Sequence, residues 1–344
     1  MVDFINKLIK FPKTNITART IQYLYKSETT QVLLCEDIKN IKKYCIKNIF
    51  SQINNAHKIS SINTEIFLLQ KMKQEEHIVQ LIDYTTITQY NFIFYLLLME
   101  YCQYPTLYDI LKDNYDTGKK LNDSLIYSYI YQIALGLKSI HKYGYCHRDL
   151  SPENILFKEK DKLVICDLGS ATNQFYNSLK NNNNNNNSYL NNILFDISNK
   201  TTLFYRAPEE ITIFSDYPFN EKVDIYALGS ILFIMLLSFI PSLNDKNPYF
   251  FFLTSKKIKN EVLNEIKAFC NPCFSGLIEN TLKFDPNKRF NIDEAITFLI
   301  AKENQITPSP YEDKYKNKSI FSEYFDMSIY EYEKEEINNK NYNI

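Results

Sequence analysis

Between residues 20 and 50 the chain alternates apolar and polar positions in short stretches, IQYLY, TQVLLCE and KKYCIKNIF. A period of two predicts strands that pair antiparallel, so a small sheet opens the chain. The period then lengthens: Asn63 to Met72, NTEIFLLQKM, sets Ile66, Leu69 and Met72 on one helix face. Phe92 to Tyr101, FIFYLLLMEY, is an unbroken apolar run of the kind a buried strand carries. Beyond Tyr104-Pro105 the pattern is helical, and Leu125 to His141 repeats its apolar residues at three and four before stopping at Lys142-Tyr143-Gly144. A charge-free run, Ala227 to Leu243, is shorter than the ~20 residues a membrane span needs, so it reads as a buried helix. Strands first and helices after predict an α+β fold, and 344 residues suit about two domains.

Charge narrows the partners. Lys plus Arg total 39 against 40 Asp plus Glu, so no whole-chain field draws the protein to nucleic acid or to an anionic membrane. Seven scattered cysteines, an odd number without a secretory signal, indicate reduced thiols in the cytosol. Cys270-Asn271-Pro272-Cys273 is a single CxxC with no second pair and no nearby His, and no metal or redox role is assigned to it. The opening MVDFINKLIKF lacks the apolar core and cleavage site of a signal peptide, and Val2 excludes N-myristoylation. The expected location is cytoplasmic.

Two segments stand apart in composition. Residues 177–200 include seven consecutive Asn and read as an inserted mobile loop. Residues 304–344 are polar, acidic and rich in Tyr, and read as a disordered extension, with a docking segment as the alternative.

The chemistry gathers in three motifs. In CHRDLSPENILF, Asp149 and Asn154 lie five apart in a loop that follows a helix, a spacing that lets one orient an attacking hydroxyl while the other binds Mg²⁺. The strand LVICD ends on Asp167, followed by Leu168-Gly169, where a carboxylate can be aimed at a metal bridging two phosphates. RAPEE follows at Arg206 to Glu210.

HRDLSPEN, DLG and RAPEE in this order resemble the protein kinase superfamily over roughly residues 20–303. That resemblance implies a bilobal fold, with a small β-rich lobe over about 20–102 and a helical lobe over about 103–303, preceded by an extension at 1–19. It also implies ATP and Mg²⁺ as cofactors and a protein Ser or Thr as acceptor. Lys47, closing YCIK, matches the Lys that touches the ATP phosphates, and Glu65 matches its helix partner 18 residues on. Val32, Cys45, Met99, Glu100 and Cys102 match positions around the nucleotide, with Met99 as gatekeeper and Glu100 to Cys102 as hinge. Asp149 matches the catalytic base, and Asn154 and Asp167 match the metal ligands. Thr202 matches a Thr that contacts the catalytic Asp, while Glu209, Arg289 and Asp224 match structural positions. CDLGSATNQF and TTLFYRAPEE are most similar to the Numb-associated kinases, which act on clathrin adaptors, so the resemblance implies trafficking proteins as partners.

Two departures bear on rate. The expected glycine loop falls on Tyr25 to Gln31, YKSETTQ, and holds no Gly, although glycines let backbone N–H groups approach phosphates closely. Ser151 stands where Ser/Thr kinases carry a Lys, and a hydroxyl brings no cation to the transferring phosphoryl group. A slow Ser/Thr kinase and a pseudokinase scaffold both fit these departures, although Lys47, Asp149, Asn154 and Asp167 are all retained.

Overall fold

The computed structural model describes residues 3–175, 197, 201–211, 217–237, 264, 267 and 270–306. The Asn-rich stretch apart from Ile197, residues 238–243 of the apolar run and residues 307–344 of the tail lie outside the described residues. The chain divides into two compact units. The first holds Met1–Leu107, Leu135–His147 and Pro152–Asn173, and the second Tyr108–Ala134, Arg148–Ser151 and the described residues from Gln174 on.

The alternating stretches of the first unit become a six-stranded antiparallel sheet: β1 (Leu8–Phe11), β2 (Ile16–Lys26), β3 (Thr30–Asp37), β4 (Lys43–Gln52), β5 (Leu81–Gln89) and β6 (Phe92–Glu100). Their order is β1-β2-β3-β4-β6-β5. One face buries Leu33, Cys35, Tyr44, Ile46, Phe94, Leu96 and Leu98 in a single cluster. Phe4, Ile9, Phe11 and Ala18, from the stretch before residue 20, belong to the same cluster. The reason is a hairpin: Leu8 to Phe11 pair with Arg19 to Ile16, and Asp83 of β5 accepts Thr14 N at 2.9 Å and Thr14 Oγ1 at 3.0 Å, fixing the hairpin tip.

Helix α1 (Ala56–Lys71) begins seven residues earlier than the apolar pattern indicates, because the Asn55 side chain caps it by accepting Lys58 N. Ile66, Leu69 and Met72 are buried as the pattern requires. Helix α3 (Asp123–His141) ends at Gly144, whose φ of +74° is a left-handed stop that glycine adopts without Cβ strain. A hairpin of β7 (Ile155–Glu159) and β8 (Lys162–Ile165) completes this unit.

The second unit is helical: α2 (Leu107–Thr117), much of α3, the short α4 (Pro208–Ile211), α5 (Lys222–Leu237), α6 (Pro272–Thr281) and α7 (Ile292–Lys302). Every residue of α5 from Val223 to Met235 is buried, as a helix apolar on all sides must be. Gly229 of α5 lies against Thr281 so closely that a Cβ would fall 2.2 Å from its hydroxyl. Asn291 and Glu294 close a reciprocal capping box at the start of α7. Among the described residues no helix is long and apolar enough to cross a membrane, and no group of three His, Cys, Asp or Glu is placed to hold a metal ion.

Candidate active site

Strand register sets the first part of the site. Val32 pairs with Lys47 and Cys45 pairs with Met99, and residues two apart on a strand share a face, so all four project from the side opposite the core cluster. The sheet thus gathers four positions that stand up to 67 residues apart in the chain. Glu100 closes β6, its carboxylate accepting Gln80 N at 2.9 Å and pairing with Lys158 Nζ at 2.6 Å. Cys102 follows, half-buried.

Midway along β4 the Lys47 ammonium reaches two carboxylates. Nζ donates to Glu65 Oε1 at 2.7 Å and to Asp167 Oδ1 at 2.8 Å. Glu65 is 1% exposed on the inner face of α1, while the Asp167 side chain is 46% exposed. Burial alone would lower the Lys47 pKa, but Asp167 and Glu65 together raise it, so the ammonium stays charged. Burial pushes the Glu65 carboxyl up, and burial likewise opposes ionisation of Asp167. At Asp167 the Lys47 ammonium and the Gly169 N–H prevail and hold the carboxyl at about 2.

The β7–β8 hairpin brings the expected metal ligands together. Ile155 pairs with Ile165, and Cys166 N donates to Asn154 O at 2.9 Å, so Asn154 and Asp167 flank one end of the hairpin. His147, fully buried, donates from Nε2 to Cys166 O at 3.0 Å and ties the HRD motif to the same point. Asp167 adopts φ +58°, a left-handed conformation that costs energy for a non-glycine residue and is common where a fold fixes a functional side chain. Its Oδ1 takes both Lys47 and the Gly169 N–H at 3.1 Å. A hard cation prefers oxygen donors, and an ionised, half-exposed carboxylate suits Mg²⁺, which takes one or two protein ligands and completes its shell with phosphate and water.

The second unit holds Asp149. Thr202 donates to Asp149 Oδ1 from both its N–H, at 2.8 Å, and its hydroxyl, at 2.7 Å. Arg148, at φ +67°, donates its N–H to Asp224 Oδ1 at 2.8 Å, so the buried Asp224 of α5 holds the loop backbone from within. Arg289 grips Glu209 through two bonds of 2.6 and 2.7 Å and donates also to the carbonyls of Lys283, Lys222 and Phe284. Ser151, two residues after Asp149, is 1% exposed.

The glycine-free stretch folds as a tight reversal. Ser27 N donates to Thr30 O at 2.8 Å and the Ser27 hydroxyl accepts Thr30 N at 3.1 Å, leaving Glu28 and Thr29 at the tip. No residue from Tyr25 to Gln31 has a positive φ, so the turn needs no glycine to form. Reading the sequence missed Ser61, whose hydroxyl bonds Gly169 O at 2.6 Å, and the buried Glu210 beside Ala207. Spacing offered a signal for the first: Ser61 lies one helical turn before Glu65 on the same face of α1.

A protein kinase domain family model matches residues 22–298. A probable serine/threonine-protein kinase of Dictyostelium discoideum is 30% identical over 282 residues, 80% of this chain and 23% of that protein. A second from the same organism is 28% identical over 278 residues, 78% of this chain and 32% of that protein. The serine/threonine-protein kinase AKL1 of Saccharomyces cerevisiae is 28% identical over 292 residues, 81% of this chain and 24% of that protein. The chain therefore spans only about a quarter to a third of the length of these relatives. Since the family model spans most of the chain, from within β2 through the β7–β8 hairpin to the last helices, the chain belongs to the protein kinase domain family.

Proposed function

We propose that the protein is a serine/threonine kinase that transfers the γ-phosphoryl group of ATP to protein hydroxyls. The observation that carries this reading is the Lys47 ammonium paired with Glu65, the ion pair that phosphoryl transfer by protein kinases needs, with the Asp167 carboxylate bonded to the same ammonium. In this reading Lys47 binds ATP phosphate oxygens and Glu65 keeps it oriented. Val32, Cys45 and Met99 contact the adenine from the sheet face they share, and Glu100 to Cys102 offer backbone groups to its edge. Asn154 and Asp167 would hold Mg²⁺, which when bound neutralises charge on the transferring phosphates. Asp149, oriented by Thr202, accepts the proton of the attacking Ser or Thr hydroxyl.

The turnover is slow in this proposal. The Ser27–Thr30 turn presents Glu28 and Thr29 where glycines would approach phosphate, and Ser151 supplies no cation. The same turn supports the second reading, a pseudokinase that binds nucleotide weakly and acts as a scaffold. Likeness of CDLGSATNQF and TTLFYRAPEE to the Numb-associated kinases supports the finer proposal of cytoplasmic action on clathrin-adaptor or other trafficking proteins. The proposed catalytic domain runs to about residue 303 and includes β1 at its start.

Thermal-shift titration with ATP and Mg²⁺, followed by phosphoamino-acid analysis of the transferred label, tests the proposal. Stabilisation together with phosphoserine or phosphothreonine is expected. Stabilisation without transfer selects the scaffold, and phosphotyrosine alone overturns the acceptor assignment.

A further inference from the structure

Hydroxyls inside helices usually bond back to the carbonyl four residues earlier. Thr64, Thr117, Ser230 and Thr281 do so here, to Ser60, Asp113, Tyr226 and Leu277. Ser61 of α1 does not. Its hydroxyl leaves the helix and donates to Gly169 O at 2.6 Å, across 108 residues of chain. The bond falls on the turn that carries Asp167, one residue past the buried Leu168.

The surroundings give that bond leverage. Glu65 follows Ser61 by one helical turn, so the two residues grip the Asp167–Gly169 segment at adjacent points, Glu65 through Lys47 and Ser61 directly. The packing there leaves no room to spare: a Cβ on Gly169 would lie 3.0 Å from Asp167 Oδ1 and 3.4 Å from Glu65 Oε2. The turn also holds Asp167 at φ +58°, a conformation that persists only where neighbours impose it.

We propose that Ser61 is a positioning residue: its hydroxyl fastens α1 to the Gly169 carbonyl and thereby keeps Glu65 and Asp167 together on Lys47. The catalytic consequence rests on the kinase reading above, whereas the fastening itself does not. With the bond gone, Asp167 leaves its left-handed conformation more often, and the metal–nucleotide complex meets a site that must be reassembled on binding.

Hydrogen exchange on the full chain separates the two. Ser61→Ala is expected to speed exchange of the Gly169 and Ala171 amides about three- to tenfold, the opening expected for one lost hydrogen bond. Amides in β3 and β6 should be unchanged. Ser61→Thr, which keeps the hydroxyl, should restore protection. In parallel, Ser61→Ala should weaken the ATP and Mg²⁺ thermal-shift response by a similar factor and lower kcat more than it raises KM. Unchanged exchange at Gly169 and Ala171, or a uniform rise across the sheet with no rescue by Thr, overturns the proposal. Should wild type neither bind nucleotide nor transfer phosphate while Ser61→Ala still opens the turn, the kinase reading fails and the fastening stands.

Discussion

Lys47 and Glu65 illustrate what single residues disclose. Their spacing of 18 residues, a Lys on an apolar strand and a Glu on a helix, was legible only through the resemblance to protein kinases, since each alone reads as an exposed charge. Left-handed Asp167 and the bond from Ser61 were not legible, since both arise from contacts over more than a hundred residues of chain. Glu210 was hidden because its burial, not its spacing, sets it apart. It is 3% exposed, its Oε2 accepts Ala207 N at 2.8 Å, and its Oε1 has no hydrogen-bond partner among the described residues. Burial pushes its carboxyl up to about 8; Glu209 and Asp224 add to the shift, while the Ala207 N–H and Arg148 oppose it. The fold therefore favours the neutral acid, so its contribution is fully present below the unfolded pKa of 4.5 and is lost as pH rises towards about 8. Glu210→Gln should flatten the fall in Tm between pH 5 and 8.5, as thermal denaturation across that range would record; parallel curves for the two proteins would refute it. Ser151→Lys should raise kcat if missing charge limits transfer and leave it unchanged if nucleotide seating does, although a site only 1% exposed must open to admit the longer side chain.

Among elements, most of the sheet and the long helices followed from periodicity, while β1 and β5 escaped notice. Ile9 and Phe11 alternate correctly, but a four-residue strand carries little pattern of its own, and its place is fixed by pairing with β2 and by Asp83 at the hairpin tip. Phe11 is fully buried in the sheet core. Phe11→Ala should cost roughly 3–5 kcal/mol of stability in denaturant unfolding, the usual loss for a large core side chain. A cost below about 1 kcal/mol would show that β1 is only a covering strap. In the helical unit, Arg289 carries four carbonyl or carboxylate partners with its side chain fully buried. Arg289→Ala leaves Glu209 buried and uncompensated, and should destabilise by roughly 3–5 kcal/mol. Arg289→Lys, which cannot make the forked contact, should recover only part of that loss.

Taken as one molecule, the chain joins a sheet-rich unit that holds Lys47, Glu65, Asn154 and Asp167 to a helical unit that holds Asp149 and Thr202. Motif order made the fold class legible, because HRD, DLG and RAPEE occur in a fixed sequence with strand, loop and helix contexts that agree; that Leu135–His147 and Pro152–Asn173 group with the sheet was not legible. Rate was not legible, since it depends on how closely the Ser27–Thr30 turn and Ser151 let charge be neutralised. The central claim is that these groups transfer phosphate. Its most direct test is incubation of the purified chain with Mg²⁺, γ-labelled ATP and a generic Ser/Thr substrate, beside Asp167→Asn. Label entering protein Ser or Thr with wild type, reduced to background by Asp167→Asn, is the predicted result; equal background signals from both proteins would contradict it.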